Sequence, residues 1–571
     1  MDTTSPGSRD CFRQAIIPEI DPSKASTRAV KYRLNELAAI SRLPCEVLAA
    51  IFSFLVFAWN EGSGHLAWIY VTHVCRRWRE TALNHPRVWN RINLTKLTPV
   101  GMVEILSRAK MAPLHLEAAS HIWERERLEA FETQLEAHIS HTRHLKFSGY
   151  QLSTVIKRLE SPTPILEYLS LSHSSHIDRL PPAIIPDNLF NCTAPSLTTL
   201  QLMGYDIDWK SPLLKGLRIL EVLDLSARAR PELNDWLDAL NEMSQLKELS
   251  LRSATPVALF TNPLISRTVT LPSLTYFCIN ASAKDCALAL THLVLPTLTR
   301  LHVDIESHGR GGEDVLLMIP YVARYVCALQ DIKPIRSILL EDRGTDTKVV
   351  TWTTPGADVK AYGLDDLVDM SRSACFLFAA RGYRNGWKCG VNTIIFDALL
   401  TILPMNSIST LTVQNTTRFN KEFWLRHAPR YPLLEQARLK HISVRTFVEM
   451  LAEDTPSDSP RLPSLTRLIL QSVTLSALKT YRLGNMLIKR VEQGVPLECL
   501  DLRKCAAAKL TTQLLTEIVL DVQEPLNPPP IVIDDIFFDW YEGSRYENEL
   551  EFDDRQASDY WVTYERGRED V

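Results

Sequence analysis

The 571-residue sequence predicts a mixed α/β fold in which a small all-α module is followed by an irregular solenoid of parallel strands and helices. Three observations carry this prediction. Two helix-period apolar faces stand close together within residues 40–92. From Trp89 onward a six-residue phrase, L-x-x-L-x-L with tolerance for other apolar residues, recurs along the chain. Its middle positions at 200, 223, 249, 277 and 301 lie 23 to 28 residues apart, room for one strand and one return segment per copy. A chain of this length also exceeds a single hydrophobic core, so several domains or an elongated array are expected.

Taken in order, residues 1–23 hold Pro6, Gly7, Pro18 and Pro22 with little pattern and are expected to be a flexible N-terminus. Ser26 or Thr27 can cap a helix that runs to Ala39, with Val30, Leu34 and Leu37 on one face. Pro44 suits the first turn of the next helix, where its missing N–H costs nothing. Leu48, Ile51, Phe52 and Leu55 then follow the i, i+3, i+4, i+7 spacing of an amphipathic stripe. The polar insert Asn60-Glu61-Gly62-Ser63-Gly64 separates this helix from a second one, in which Val71, Val74, Cys75 and Trp78 repeat the spacing. Arg76, Arg77, Arg79 and Glu80 fall on its other side and read as a solvated face. Pro86 and Trp89 close the module, which with its preceding helix spans 24–92.

The strand array is expected over 93–527. Its copies begin at Trp89-Ile92-Leu94, Met111-Leu114-Leu116, Leu166-Leu169-Leu171 and Leu197-Leu200-Leu202. They continue at Leu220-Leu223-Leu225, Leu246-Leu249-Leu251, Leu274-Phe277-Ile279 and Leu298-Leu301-Val303. Later copies are Ile335-Ile338-Leu340, Ile408-Leu411-Val413, Leu465-Leu468-Leu470 and Leu497-Leu500-Leu502, with degraded ones at Leu145-Phe147 and Leu434-Ala437-Leu439. In L-x-L both leucines point to one side of a strand and the residue between them to the other, so stacked copies give one apolar and one exposed wall. Pro231–Met243 and Asp285–Leu293 read as intervening helices. This spacing resembles that of leucine-rich repeats, with an irregular succession of helices. Near 341–380 the array is interrupted. Lys348–Thr354, a Pro355-Gly356 turn, Val359–Tyr362 and the apolar run Ala374–Ala380 predict a β-hairpin insertion and one atypical repeat. Residues 528–571 form an acidic, aromatic C-terminal tail. From Ile531 to Val571 it holds 13 acids and four bases, a net charge of −9, with Phe537, Phe538, Trp540 and Tyr541 among them.

Composition narrows the functional classes. A net charge of −4 offers no global basic field for nucleic acid. No segment approaches ~18 uninterrupted apolar residues, so no membrane span is expected, and Met1–Asp10 lacks the apolar core of a secretory leader. The 11 cysteines are odd in number, scattered and without a CxxC pair, which predicts reduced thiols in a cytoplasmic and/or nuclear protein. The sequons at Asn93, Asn191 and Asn415 then carry no weight. Catalytic signatures are lacking. Gly309-Arg310-Gly311-Gly312 does not have dinucleotide-loop spacing, and Gly62-Ser63-Gly64 is no nucleophile elbow. His138, His141 and His144 could share a helix face but have no cysteine or acid at ligand spacing, so they read as polar surface. No catalytic residue, metal or cofactor is expected, and the chain does not read as an enzyme.

The module resembles the F-box family. The matching residues are Leu43-Pro44-x-Glu46-Val47-Leu48-x-x-Ile51-Phe52-x-x-Leu55, then Val74-Cys75-Arg76-Arg77-Trp78, Thr81-Ala82-Leu83 and Pro86-x-x-Trp89. The resemblance covers roughly a tenth of the chain. It implies a small helical unit that docks the Skp-type adaptor of a cullin–RING ubiquitin ligase, with substrate held by a C-terminal leucine-rich array. Carried over by position, Leu43, Pro44, Glu46, Val47, Ile51, Phe52 and Leu55 would meet the adaptor. Leu48, Val71, Val74, Cys75, Trp78, Leu83 and Trp89 would form the module's core. A protein substrate of unknown identity would meet the exposed strand wall, where Arg252, His302, Asp304, Gln414, Arg438, Lys440 and Arg503 are the leading candidates, beside Gln201, Asp224, Ser250, Gln471 and Asp501. The function expected is a non-catalytic substrate-recognition subunit of an SCF-type ligase. The alternative is a leucine-rich-repeat scaffold protein acting outside a ligase.

Overall fold

The computed structural model describes residues 24–60, 67–119, 123–173, 183–257, 267–307, 313–343, 346–355, 374–382, 391–414, 419–440, 444–453, 459–507 and 515–523 except 517 and 520. The expectations for 1–23, for the polar insert beyond Asn60, for Gly309–Gly312, for Val359–Tyr362 and for the 528–571 tail lie outside the described residues.

Helix α1 covers Lys24–Leu37 and α2 Cys45–Asn60. Pro44 sits just before α2, and its carbonyl accepts the Leu48 N–H at 3.1 Å, so a residue without an N–H opens the helix at no cost. The expected second helix is two: α3, Val71–Val74, and α4, Arg76–Asn84. Cys75 between them is extended, with φ −156° and ψ 169°, which breaks the 71/74/75/78 periodicity. The core of the module joins Leu48, Ala49, Phe52 and Val56 of α2 to Val71, Ala82, Val88 and Trp89, all buried. The Phe52 ring lies 5.1 Å from that of Trp78. The Trp89 indole N–H donates to the Ala82 carbonyl at 2.7 Å, and the Arg108 guanidinium stands 4.5 Å over its ring.

The chain forms two compact units, one within 1–275 and 292–297, the other within 276–291 and 298–571. The division therefore falls inside the strand array and leaves the helical module and the first strands together.

In the first unit, seven strands pair in parallel: β1 Arg91–Asn93, β2 Leu114–Ala119, β3 Thr142–Ser148, β4 Tyr168–Ser172, β5 Thr199–Met203, β6 Ile219–Leu223 and β7 Glu248–Arg252. Ile92, Leu116, Leu145, Leu169, Leu200, Leu220 and Leu249 form one continuous ladder of paired positions, all buried. Two copies of the phrase are framed differently from the sequence reading. The ladder puts Leu220, not Leu223, at the middle position, because leucines at 217, 220 and 223 fit two frames three residues apart; Leu217 is fully buried and Leu223 only half-buried. Likewise Leu116, not Leu114, is the middle position of its copy, and Met111 is 73% exposed. The helix Leu233–Glu242 buries Leu233, Trp236, Leu237 and Leu240 on one face.

On the other wall of this sheet, the His115 ring stacks on His144 at 4.1 Å and His144 on Tyr168 at 5.4 Å. His138, His141 and His144 do not share a helix face. His138 ends a helix, His141 is buried in a single turn and His144 lies in β3, since a strand begins at Thr142. Burial, then the neighbouring His144, Arg91 and Arg143, pushes His115 down to about 3. A histidine depressed in the fold takes its proton in the unfolded chain first, so its stabilising share is complete above the unfolded value of about 6.5 and is lost as pH falls toward 3. The melting temperature is expected to drop between pH 7 and pH 4.5, and to drop less in His115→Gln, when followed by scanning fluorimetry.

The second unit holds β8 Tyr276–Ala281, β9 Arg300–Ser307, β10 Ser337–Asp342, β11 Asp346–Trp352, β12 Phe376–Gly382, β13 Thr410–Gln414, β14 Gln436–Lys440, β15 Arg467–Leu475, β16 Cys499–Ala507 and β17 Asp521–Gln523. Their order across the sheet is β8-β9-β12-β11-β10-β13-β14-β15-β16-β17, with β11 antiparallel to both neighbours and every other pair parallel. The second arm of the hairpin expected across Pro355-Gly356 lies outside the described residues; the strand expected at Lys348–Thr354 falls largely in β11, which forms a hairpin with β10, closed where the Arg343 N–H donates to the Asp346 carbonyl at 2.9 Å. It is part of the sheet rather than an appendage, because both walls here are apolar: Leu339, Val350, Trp352 and Leu377 join Ala374 and Ala379 in a second buried cluster. No helix among the described residues is long and apolar enough to cross a membrane.

Candidate docking site

Helix α2 is apolar on two sides. Its inner stripe, Leu48, Phe52 and Val56, is at most 1% exposed. Turned about 100° from it per residue step is a second stripe at i, i+4, i+7: Val47, Ile51 and Phe54, which are 43%, 36% and 75% exposed. Such a row facing solvent gains nothing for folding and offers surface to a partner. Pro44 and Glu46 are exposed at the start of the same helix, and Leu43 and Leu55 are half-buried. The Glu46 carboxyl is held below its usual range by its own backbone N–H and by Cys45, which keeps a negative charge at the helix's positive end.

Three expected roles change. Phe52 lies in the core at 1% exposure, because it falls four residues from both Leu48 and Val56 and so shares their buried face. Val74 is 57% exposed because the break at Cys75 turns it away from Val71. Leu83 is 36% exposed, on the side of α4 opposite the buried Thr81 and Ala82. Leu48, Val71 and Trp89 are buried, while Cys75 and Trp78 are half-buried.

Phe54 and Tyr70, 75% and 68% exposed, are absent from the sequence-derived site. Phe54 is the third member of the Val47–Ile51 stripe, which the nearly continuous apolar run of α2 hides in the sequence. Arg77 is the other omission. Instead of lying in solvent, its guanidinium donates to the backbone carbonyls of Ser41 and Leu43, which ties α4 to the segment that presents Leu43 and Pro44. Arg76, by contrast, makes an exposed i, i+4 pair with Glu80 at 2.7 Å.

The strand-wall candidates are mostly engaged within the chain. Arg252 makes a bidentate pair with Asp224 at 2.7 and 2.9 Å, and Arg503 does so with Asp501 at 2.7 and 3.1 Å. Gln201 accepts from Tyr168 and donates to Glu221. Asp304 meets Arg381 at 2.7 Å, and burial pushes its carboxyl up against the pull of that arginine. His302 is only 3% exposed, between Tyr276 and the Ala374 carbonyl, so it faces no partner; the apolar cluster over β10–β12 explains its depth. Gln414, Arg438, Lys440 and Gln471 are half-buried on the second unit's strands. No group of acids, histidines and cysteines able to hold a metal occurs among the described residues.

What α2 offers, then, is an apolar contact face with a pinned entry loop and no assembled chemistry. No curated protein matches this chain. Residues 40–95, from Ile40 ahead of the Leu43-Pro44 turn to Thr95 just past β1, match the family model described as F-box-like, so the chain carries an F-box-like domain, a kind of domain that generally binds Skp-type adaptors.

Proposed function

We propose that this chain is the non-catalytic substrate-recognition subunit of an SCF, or cullin–RING, ubiquitin ligase. The observation that carries the reading is the solvent-facing row Val47, Ile51 and Phe54 on a helix inside the F-box-like domain. With Leu43, Pro44 and Leu55 it would give the Skp-type adaptor an apolar surface, with Glu46 at its edge. The wall of the strand array, read as a leucine-rich-repeat solenoid, would hold a protein substrate. Lys440 and Gln414 are the preferred contacts there, because Arg252, Asp304 and Arg503 already have ionic partners in the chain. Bringing two partners together accelerates transfer between them without any side-chain chemistry from the chain itself. The expected place of action is the cytoplasm, the nucleus or both.

Arg77 acts in this scheme as a positioning residue. Arg77→Ala is expected to weaken adaptor binding about tenfold, in line with losing charge-assisted hydrogen bonds of about 1.5 kcal/mol, whereas Arg76→Ala changes it by less than twofold; surface plasmon resonance checks both. The functional reading itself is tested by proximity labelling in cells with the whole chain and with an Ile51→Glu/Phe54→Glu variant. The ligase core is expected among labelled proteins for the first and missing for the second. Labelling without any cullin–RING component in either case would leave the scaffold reading instead.

A further inference from the structure

Across β13–β16, on the wall away from the buried leucines, four in-register positions alternate between an amide and an ammonium: Gln414, Lys440, Gln471 and Lys504. Lys504 is exposed and the other three are half-buried. Strict alternation after Asp501 and Arg503 would turn Lys504 inward. The register slip between Ile469 and Gln471 sets an extra residue of β16 against β15, a bulge that lets Arg503 and Lys504 both face outward while Leu502 and Cys505 stay buried. Neighbouring outward positions add Arg438 and Arg467, against the acids Asp501 and Asp521. Asp501 is already taken by the fork of Arg503, at 2.7 and 3.1 Å. Lys440, Arg467 and Lys504 form no ion pair among the described residues. The wall is therefore basic on balance, and the charges left over in the row itself are two lysine ammonium groups.

Their separation limits what they can hold. Lys440 and Lys504 both pair with Gln471, one from each side, so at about 4.8 Å per strand spacing their Cα atoms stand about 10 Å apart. The arginine fork that would grip a single phosphate bidentately is filled by Asp501. Single carboxylates set well apart suit the row better. A β-strand laid across it sends positions i and i+3 to opposite sides. A polyproline-type helix has three residues per turn at about 3.1 Å each, so its positions i and i+3 project from one side about 9 Å apart. That conformation also leaves its backbone N–H and C=O groups free. The amides of Gln414 and Gln471, which can donate and accept, stand beside and between the lysines to meet them. A nucleic acid fits less well, because the chain's net charge of −4 supplies no attractive field beyond this row.

From this register and this charge we infer that the β13–β16 wall is a docking site for an extended acidic peptide segment of a partner protein, with Asp or Glu side chains three residues apart seated on Lys440 and Lys504. With the strand wall read as the substrate side, on which this rests, the substrate acquires a chemistry: carboxylates at a fixed spacing on a polyproline-like backbone. Exposed ion pairs are individually weak, so the contact is sensitive to salt.

Fluorescence anisotropy with the full chain at ~50 mM salt tests this with labelled probes: a peptide of repeated Asp-Pro-Pro triplets, a peptide of the same composition with its aspartates adjacent, and an oligouridylate of equal charge. The triplet peptide is expected to bind more tightly than either of the others by about fivefold or more, and to lose about as much in a Lys440→Gln/Lys504→Gln variant of unchanged melting temperature. Its binding is expected to vanish at ~0.5 M salt, where screening reaches only about 4 Å. Any of these results would overturn the inference: no binding of the triplet peptide at low salt, equal or better binding of adjacent aspartates, which would mean that charge alone is read, tightest binding of the RNA, which would make the wall a nucleic-acid surface, or affinity unmoved by the lysine variant. Adaptor binding by the same chain is read separately. A chain that takes the adaptor but not the triplet peptide removes this docking site and leaves the ligase reading; one that takes the peptide but not the adaptor does the opposite.

Discussion

Glutamate at both Ile51 and Phe54 is expected to weaken binding of a Skp-type adaptor by at least a hundredfold, about 3 kcal/mol, with the melting temperature of the chain unchanged within a degree or so. The size follows from what apolar anchors contribute at interfaces, where a few residues at about 2 kcal/mol or more carry most of the affinity. The absence of a stability effect follows from exposure: at 36% and 75% neither side chain is part of the packed interior. Calorimetric titration paired with thermal unfolding separates the two. A large drop in melting temperature would mean that the stripe holds the module together instead of facing a partner.

Its neighbour in sequence is expected to behave in the opposite way. Phe52→Ala removes a ring that is 1% exposed and packed 5.1 Å from Trp78, so the helical module should lose about 3–5 kcal/mol of stability. That approaches the whole margin of a small domain. Hydrogen exchange should report it as lost protection in α2 and α4, with the strands of the second unit unaffected. Two adjacent residues, one altering affinity alone and the other altering folding, discriminate between the two stripes of α2 more sharply than any single substitution.

The sequence showed much of this and missed the rest for identifiable reasons. The paired leucines of each strand were legible because alternation with period two is strict on a buried wall. Their frame failed at Leu220 and Leu223, where leucines three residues apart satisfy two alignments and only pairing with Leu200 decides. The faces of α2 could not be assigned from Ile51-Phe52-Ser53-Phe54-Leu55-Val56, since a nearly continuous apolar run has no single moment to read. The break at Cys75 has no proline or glycine to announce it. The antiparallel strand β11 was half visible: Lys348–Thr354 read as one arm of a hairpin, but nothing showed that it would be covered on both walls and paired with β10. Pairs such as Arg252 with Asp224, 28 residues apart, arise from the stacking of strands and leave no local trace in sequence. Arg77 was misread for a related reason. A basic cluster on a short helix usually faces water, and only the return of the chain past Ser41 and Leu43 gives this arginine its carbonyl partners.

Titrating purified Skp-type adaptor into the full-length chain probes the account at its centre. A saturable one-to-one complex, abolished or weakened at least a hundredfold by Ile51→Glu/Phe54→Glu and retained by an Arg76→Ala control, is the predicted result. A correctly folded chain that binds no adaptor, or one whose affinity ignores the charges placed on that helix, would contradict it.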